Sequence, residues 1–98
     1  MTGKSIKELQ EEVGSWAVRI FEKATQESTI AHLRDEVNNE LHPDCDPLEL
    51  ADCVLLLLHL SYRMNVDLEE AVLRKFEINK KRKWQTEINE KGFQSHIE

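Results

Sequence analysis

The chain has little glycine, proline or cysteine: three Gly, two Pro and two Cys in 98 residues, with six aromatic side chains. So few turn-formers and so few aromatic or β-branched runs argue against an all-β fold and for helices. Cys45 and Cys53 cannot staple a secreted domain of this size, so a reducing, cytoplasmic compartment is expected. The N-terminal MTGKSIKELQ has no apolar core of a signal peptide, and the longest apolar run, Cys53 to Leu58, falls far short of the roughly 20 residues that span a bilayer. No membrane association is expected. Gly-rich phosphate loops and nucleophile elbows are also missing. At a formal net charge of −6 the chain is a poor partner for nucleic acid, and the short run Lys80-Lys-Arg-Lys83 is thin support for one.

What remains is a legible series of helix signals in a single domain, 1–98. Ser5-Ile-Lys-Glu8 reads as a capping box, followed by Ile6, Leu9, Val13, Trp16, Ala17 and Ile20 at helical spacing; this predicts a helix over about 6–23. Thr25 or Ser28 caps a second helix to about residue 41 (28–41), with Ile30, Leu33, Val37 and Leu41 as its stripe, broken by His42-Pro43. Asp46-Pro47-Leu48-Glu49 starts a third over 47–64, and Asp67 caps a fourth over 68–83. The tail, 85–98, reads as irregular. An all-α, four-helix bundle is the simplest arrangement. The third helix is apolar on nearly every side between Ala51 and Leu60, more than a 98-residue monomer can cover, which predicts a homo-oligomer, simplest as a dimer.

Charge is not spread evenly. Residues 33–53 carry seven Asp and Glu side chains and lead directly into VLLLLHL. At about 100° per residue, Glu36 and Glu40 lie roughly 40° apart on one helix, and Glu49 and Asp52 roughly 60° apart on the next. Antiparallel packing through the short 42–46 turn brings these four carboxylates face to face. Unless a cation sits between them they repel, and hard oxygen ligands select Mg²⁺ or Mn²⁺ over zinc. An ordinary solvated acidic face is the competing reading. A zinc site from His42, Cys45, Cys53 and His59 matches no closed ligand pattern, and His59, two turns from Asp52, reads as a buried, hydrogen-bonded histidine.

Asp35-Glu36 followed by Glu49-Leu-Ala-Asp52 resembles the MazG-like all-α nucleotide pyrophosphohydrolases, whose signature is E-E-x-x-E on one helix and E-x-x-D on the next. Trp16-Ala17-Val18-Arg19, His32-Leu33-Arg34-Asp35-Glu36-Val37, Lys75 with Asn79 and Trp84, and His96-Ile97 extend the resemblance to a phage-type branch described as dATP/dGTP diphosphohydrolase-like. The resemblance implies Mg²⁺-dependent hydrolysis of a nucleoside triphosphate to monophosphate and pyrophosphate. It also implies that Asp35 or Glu36 accepts a proton from the attacking water, and that Lys75 and Asn79, with Arg82 on the same face, hold phosphates. Trp16 sits in an apolar stripe, so core packing is its first reading and stacking on a base its second. The chain departs from the signature at one position: the third acid of E-E-x-x-E falls on Asn39, with Glu40 next to it. Either Asn39 supplies a carbonyl ligand, or Glu40 replaces it, or the site is degraded and the chain is a non-catalytic, nucleotide-sensing or partner-binding oligomer.

Overall fold

The first turn of the chain closes on itself at Ser5. In a computed structural model, which describes residues 3–97, the Ser5 hydroxyl accepts from the Glu8 amide while the Glu8 carboxylate accepts from the Ser5 amide. Helix α1 then runs Ile6–Ile20, stopping short of the expected residue 23 because Phe21 leaves helical geometry at ψ 60°. Thr25 and Ser28 form the second reciprocal cap, starting α2 at Gln26. The Asp46 carboxylate accepts from the Leu48 amide and starts α3, Pro47–Met64, which Asn65 closes in the left-handed region at φ 56°. Asp67 caps α4, Leu68–Lys81.

The second helix changes character midway. Gln26–Asp35 is α-helical, Glu36–Leu41 is a π-helix, and a last turn, His42–Asp44, passes through Pro43 before Cys45 turns left-handed at φ 53°. Thus Pro43 does not break the helix at 42 as expected. A proline ring ordinarily collides with the carbonyl four residues back; the widened π turn just before it displaces that carbonyl. The tail also departs from expectation: Lys83–Trp84 pairs antiparallel with His96–Ile97, forming the strands β1 and β2. The Trp84 indole donates to the Asn79 carbonyl and pins this ribbon to the end of α4.

The core lies between α1, α2 and α3, where Ala17, Cys53, Leu56 and Leu58 are buried. Gly14 lets α1 approach α3 closely: a Cβ there would lie 2.1 Å from Tyr62 Cγ. Buried Gln10 clamps the α3–α4 turn, donating to the Val66 carbonyl and accepting from the Leu68 amide. Helix α4 packs against α1 near this clamp and none of its residues is fully buried. Trp16, expected first as a core residue, is 49% exposed, because its side chain faces a cavity rather than α3's interior side.

Candidate active site

Two helices deliver the acids. Glu36 opens the π segment of α2, and Glu49 and Asp52 lie one turn apart at the start of α3. One carboxylate oxygen from each lies within 4.8 Å of the other two. Glu40, in the C-terminal part of the π segment, lies close enough to Glu49 to act on its ionisation. Hydrogen bonding with Glu40, then burial and the charges of Glu40, Glu36 and Asp52, push the Glu49 carboxyl up to about 7. Burial, followed by the charges of Asp52 and Glu40, raises Glu36, against a weaker opposing pull from His32. The His32 Nε2 lies 4.0 Å from the Glu36 carboxylate. Cys53, beneath the cluster, is raised by burial first and by the same acids second.

Carboxyl groups raised by the charge of neighbouring acids, as Glu36 and Glu49 are, mark negative charge without its counterpart. Proton sharing between Glu40 and Glu49 is one way to relieve the repulsion; a divalent cation among the oxygens is the stronger one. The donor set fits a hard cation, since carboxylates suit Mg²⁺ and Mn²⁺ and no thiolate or imidazole lies in the group.

The π segment sets how the two neighbours at the departure from the signature are turned. Its hydrogen bonds run i→i+5, so each turn takes about one residue more than an α turn. In an α-helix the residue three after Glu36 would share its face. In the wider turn that place falls to the fourth, Glu40. Asn39 turns instead to Asp35, its amide donating to that carboxylate. Asp35 and Glu40, both expected here, lie outside the three-carboxylate group of Glu36, Glu49 and Asp52.

Beside the cluster opens a cavity of about 630 Å³. Val13, Trp16, Ala17, Phe21, Leu55 and Leu56 give it an apolar wall, Glu36 and Asp52 stand at its acidic edge, and Glu12, Ser15, Arg19, His32 and His59 complete the lining. Trp16 meets Phe21 edge to face at 5.8 Å, and Phe21 stacks on His59 at 6.0 Å. Such a volume with an apolar wall suits a small organic ligand. Lys75, Asn79 and Arg82 do not line it: they stand on α4 and at its end, away from the acids. Phe21 and His59 went unassigned as ligand-facing residues, because Phe21 lies just past a helix end and His59 reads as core from its helical register.

Comparison with known proteins agrees with this geometry. A family model described as dATP/dGTP pyrophosphohydrolase matches residues 9–98. A dATP/dGTP diphosphohydrolase of Cyanophage S-2L is 35% identical over 95 residues, covering 95% of this chain and 89% of that protein. A dATP/dGTP diphosphohydrolase of Salmonella phage PMBT28 is 31% identical over 94 residues, which is 95% of this chain and 32% of that longer protein. Among solved structures, the Cyanophage S-2L MazG-like pyrophosphohydrolase, bound to dGDP and three catalytic Mn²⁺ ions per active site, superposes with a TM-score of 0.82 at 32% identity, covering 100% of this chain and 98% of that one.

Proposed function

Because this chain belongs to the dATP/dGTP pyrophosphohydrolase family, we propose that it hydrolyses deoxynucleoside triphosphates, dATP and dGTP foremost, to the monophosphate and pyrophosphate. The observation that carries this reading is the meeting of Glu36, Glu49 and Asp52 at the mouth of a nucleoside-sized cavity. Mg²⁺, or Mn²⁺ in its place, bound by these acids supplies charge neutralisation for the triphosphate and lowers the pKa of a bound water.

The chain's own groups do the rest. Glu36, Glu40, Glu49 and Asp52 hold the metal, Glu40 taking the place that the signature gives to the residue at Asn39. Glu36, whose pKa is already raised, accepts the proton of the water that attacks the α-phosphorus as the bond to the pyrophosphate oxygen breaks. Asp35, tied to the Asn39 amide, keeps that segment in register. The Trp16–Phe21 pair shelters the base.

The exposed apolar surface supports completion by a second copy. Leu48, Leu50, Val54, Leu55 and Leu57 on α3 and Leu73 and Phe76 on α4 are exposed in the single chain, Leu48 at 75%. A homodimer buries them, and it carries Lys75, Asn79 and Arg82 to the phosphates of a neighbouring site.

Phosphorus NMR of dGTP and dATP incubated with the protein and Mn²⁺ tests the reaction. Equal amounts of monophosphate and pyrophosphate are expected; diphosphate with orthophosphate, or unchanged substrate, would refute it.

A further inference from the structure

We propose that His59 selects the base, donating from Nδ1 to N7 of a purine in the cavity, and that Arg63 is the positioning residue that fixes the required tautomer. This rests on the nucleotide reading above and goes beyond it.

Arg63 Nε donates to His59 Nε2 at 2.7 Å. A guanidinium has donors only, so Nε2 must present its lone pair and the ring's one proton resides on Nδ1. Burial, then the charges of Arg63 and His32, oppose a second proton. Arg63 is itself held at its far end, where Nη2 donates to the Phe21 carbonyl at 3.0 Å, and the Phe21 ring lies over the imidazole with 24° between their planes. Arginine, histidine and phenylalanine therefore brace one another, and the ring cannot turn over without breaking two contacts.

The other nitrogen has no such partner. No hydrogen bond to Nδ1 forms among the described residues, yet it is not one of their sealed, unpartnered polar atoms, a set that holds Asn79 Oδ1 alone. His59 is 4% exposed and lines the cavity between Trp16 and the acids, the space in which a ligand acceptor can meet it. A buried N–H donor in the cavity wall discriminates, because a ligand that cannot accept leaves it unpaired.

Among base edges, the acceptor that adenine and guanine share is N7; at the neighbouring position one has an amino donor and the other a carbonyl. A single donor thus admits both purines. Pyrimidines lack the imidazole ring that carries N7: cytosine presents an amino donor to the same edge, and thymine's acceptor there, O4, sits at the position of the purine 6-substituent and not of N7.

The test uses 7-deaza-dGTP and 7-deaza-dATP, in which N7 is a C–H group, with the full chain and Mn²⁺. Relative to dGTP and dATP, kcat/KM is expected to fall about tenfold or more, and calorimetric affinity to fall in parallel, as loss of one buried hydrogen bond requires. In H59F the natural and deaza nucleotides should become equivalent. The ¹⁵N spectrum of histidine-labelled protein should show Nδ1 protonated on His59, and R63M should mix the tautomers and shrink the deaza ratio. Equal handling of dGTP and 7-deaza-dGTP by the wild-type protein, or protonation at Nε2, would overturn the proposal without touching the enzymatic reading. If nucleotides bind but none is cleaved, the enzymatic reading falls while the affinity ratio still decides this one. If none binds, both fall.

Discussion

Glu40 and Asn39 differ by one position and, in this structure, by their whole role. Glu40→Gln removes a charge from the group around Glu49, and it should weaken Mn²⁺ binding by about tenfold or more, while Asn39→Ala, which severs only a bond to Asp35, should change it little; titration calorimetry separates the two. Asp52→Asn should lower kcat/KM by about a hundredfold or more with the fold retained by circular dichroism. The pH dependence has a defined sign. Glu49 is raised from 4.5 to about 7, so the folded protein holds a proton that the unfolded chain has lost between those values. Metal-free stability therefore declines as pH rises from about 4.5 to 7, and Mn²⁺ uptake, which expels that proton, strengthens over the same window and levels off above it. Thermal melts at pH 5 and 7.5, with and without Mn²⁺, check both halves: metal should raise Tm more at 7.5. The approach of Glu36 to Glu49 and Asp52 was legible from angular spacing and the short 42–46 turn. The raised Glu49 carboxyl was not, because it depends on the distance between two helices.

At the scale of the element, the caps were the readable part. Ser5, Thr25, Asp46 and Asp67 each satisfy a first-turn amide, a local event that needs no tertiary information. The π segment was hidden because an extra residue in a helix leaves no composition signal. Its trace lay in the spacing: Leu33, Val37 and Leu41 step by four, as Glu36 and Glu40 do, and a strict step of four drifts by roughly 40° per turn on an α-helix. Widening the turn realigns both rows at once. Deleting Asn39 should therefore convert the π turn to an α turn, restore E-x-x-E spacing between Glu36 and the residue now at Glu40, and leave Mn²⁺ affinity within a few-fold of wild type. Loss of binding in that deletion would show that the π geometry itself is needed. Close helix packing gives a second prediction. Gly14→Ala places a methyl against the Tyr62 ring, so it should destabilise the fold by about 1–3 kcal/mol in urea unfolding.

At the scale of the molecule, the single chain leaves apolar surface in the open. Its radius of gyration is 15.7 Å, whereas about 13 Å suits a self-contained domain of 100 residues. The excess reflects α4 and the β ribbon, which project from the three-helix core with Leu73, Phe76 and Trp84 in the open. Sedimentation at micromolar concentration should give a homo-oligomer, and Phe76→Glu should shift it toward monomer; a wild-type monomer would remove the second copy from the account. The exposed apolar surface of α3 was readable from its all-round apolarity, whereas that of α4 was not, since Val72, Leu73 and Phe76 have the ordinary spacing of a helix that packs inward. None of the described helices is long and apolar enough to cross a membrane.

Oxygen atoms from α2 and α3 gathered around a divalent ion are the centre of the account, and electron paramagnetic resonance of Mn²⁺ titrated into the protein with dGMP present tests it most directly. The wild-type chain should quench the free-ion signal saturably, and Glu36→Gln with Asp52→Asn should restore it. An undiminished free-ion spectrum in the wild-type protein at every concentration would contradict it.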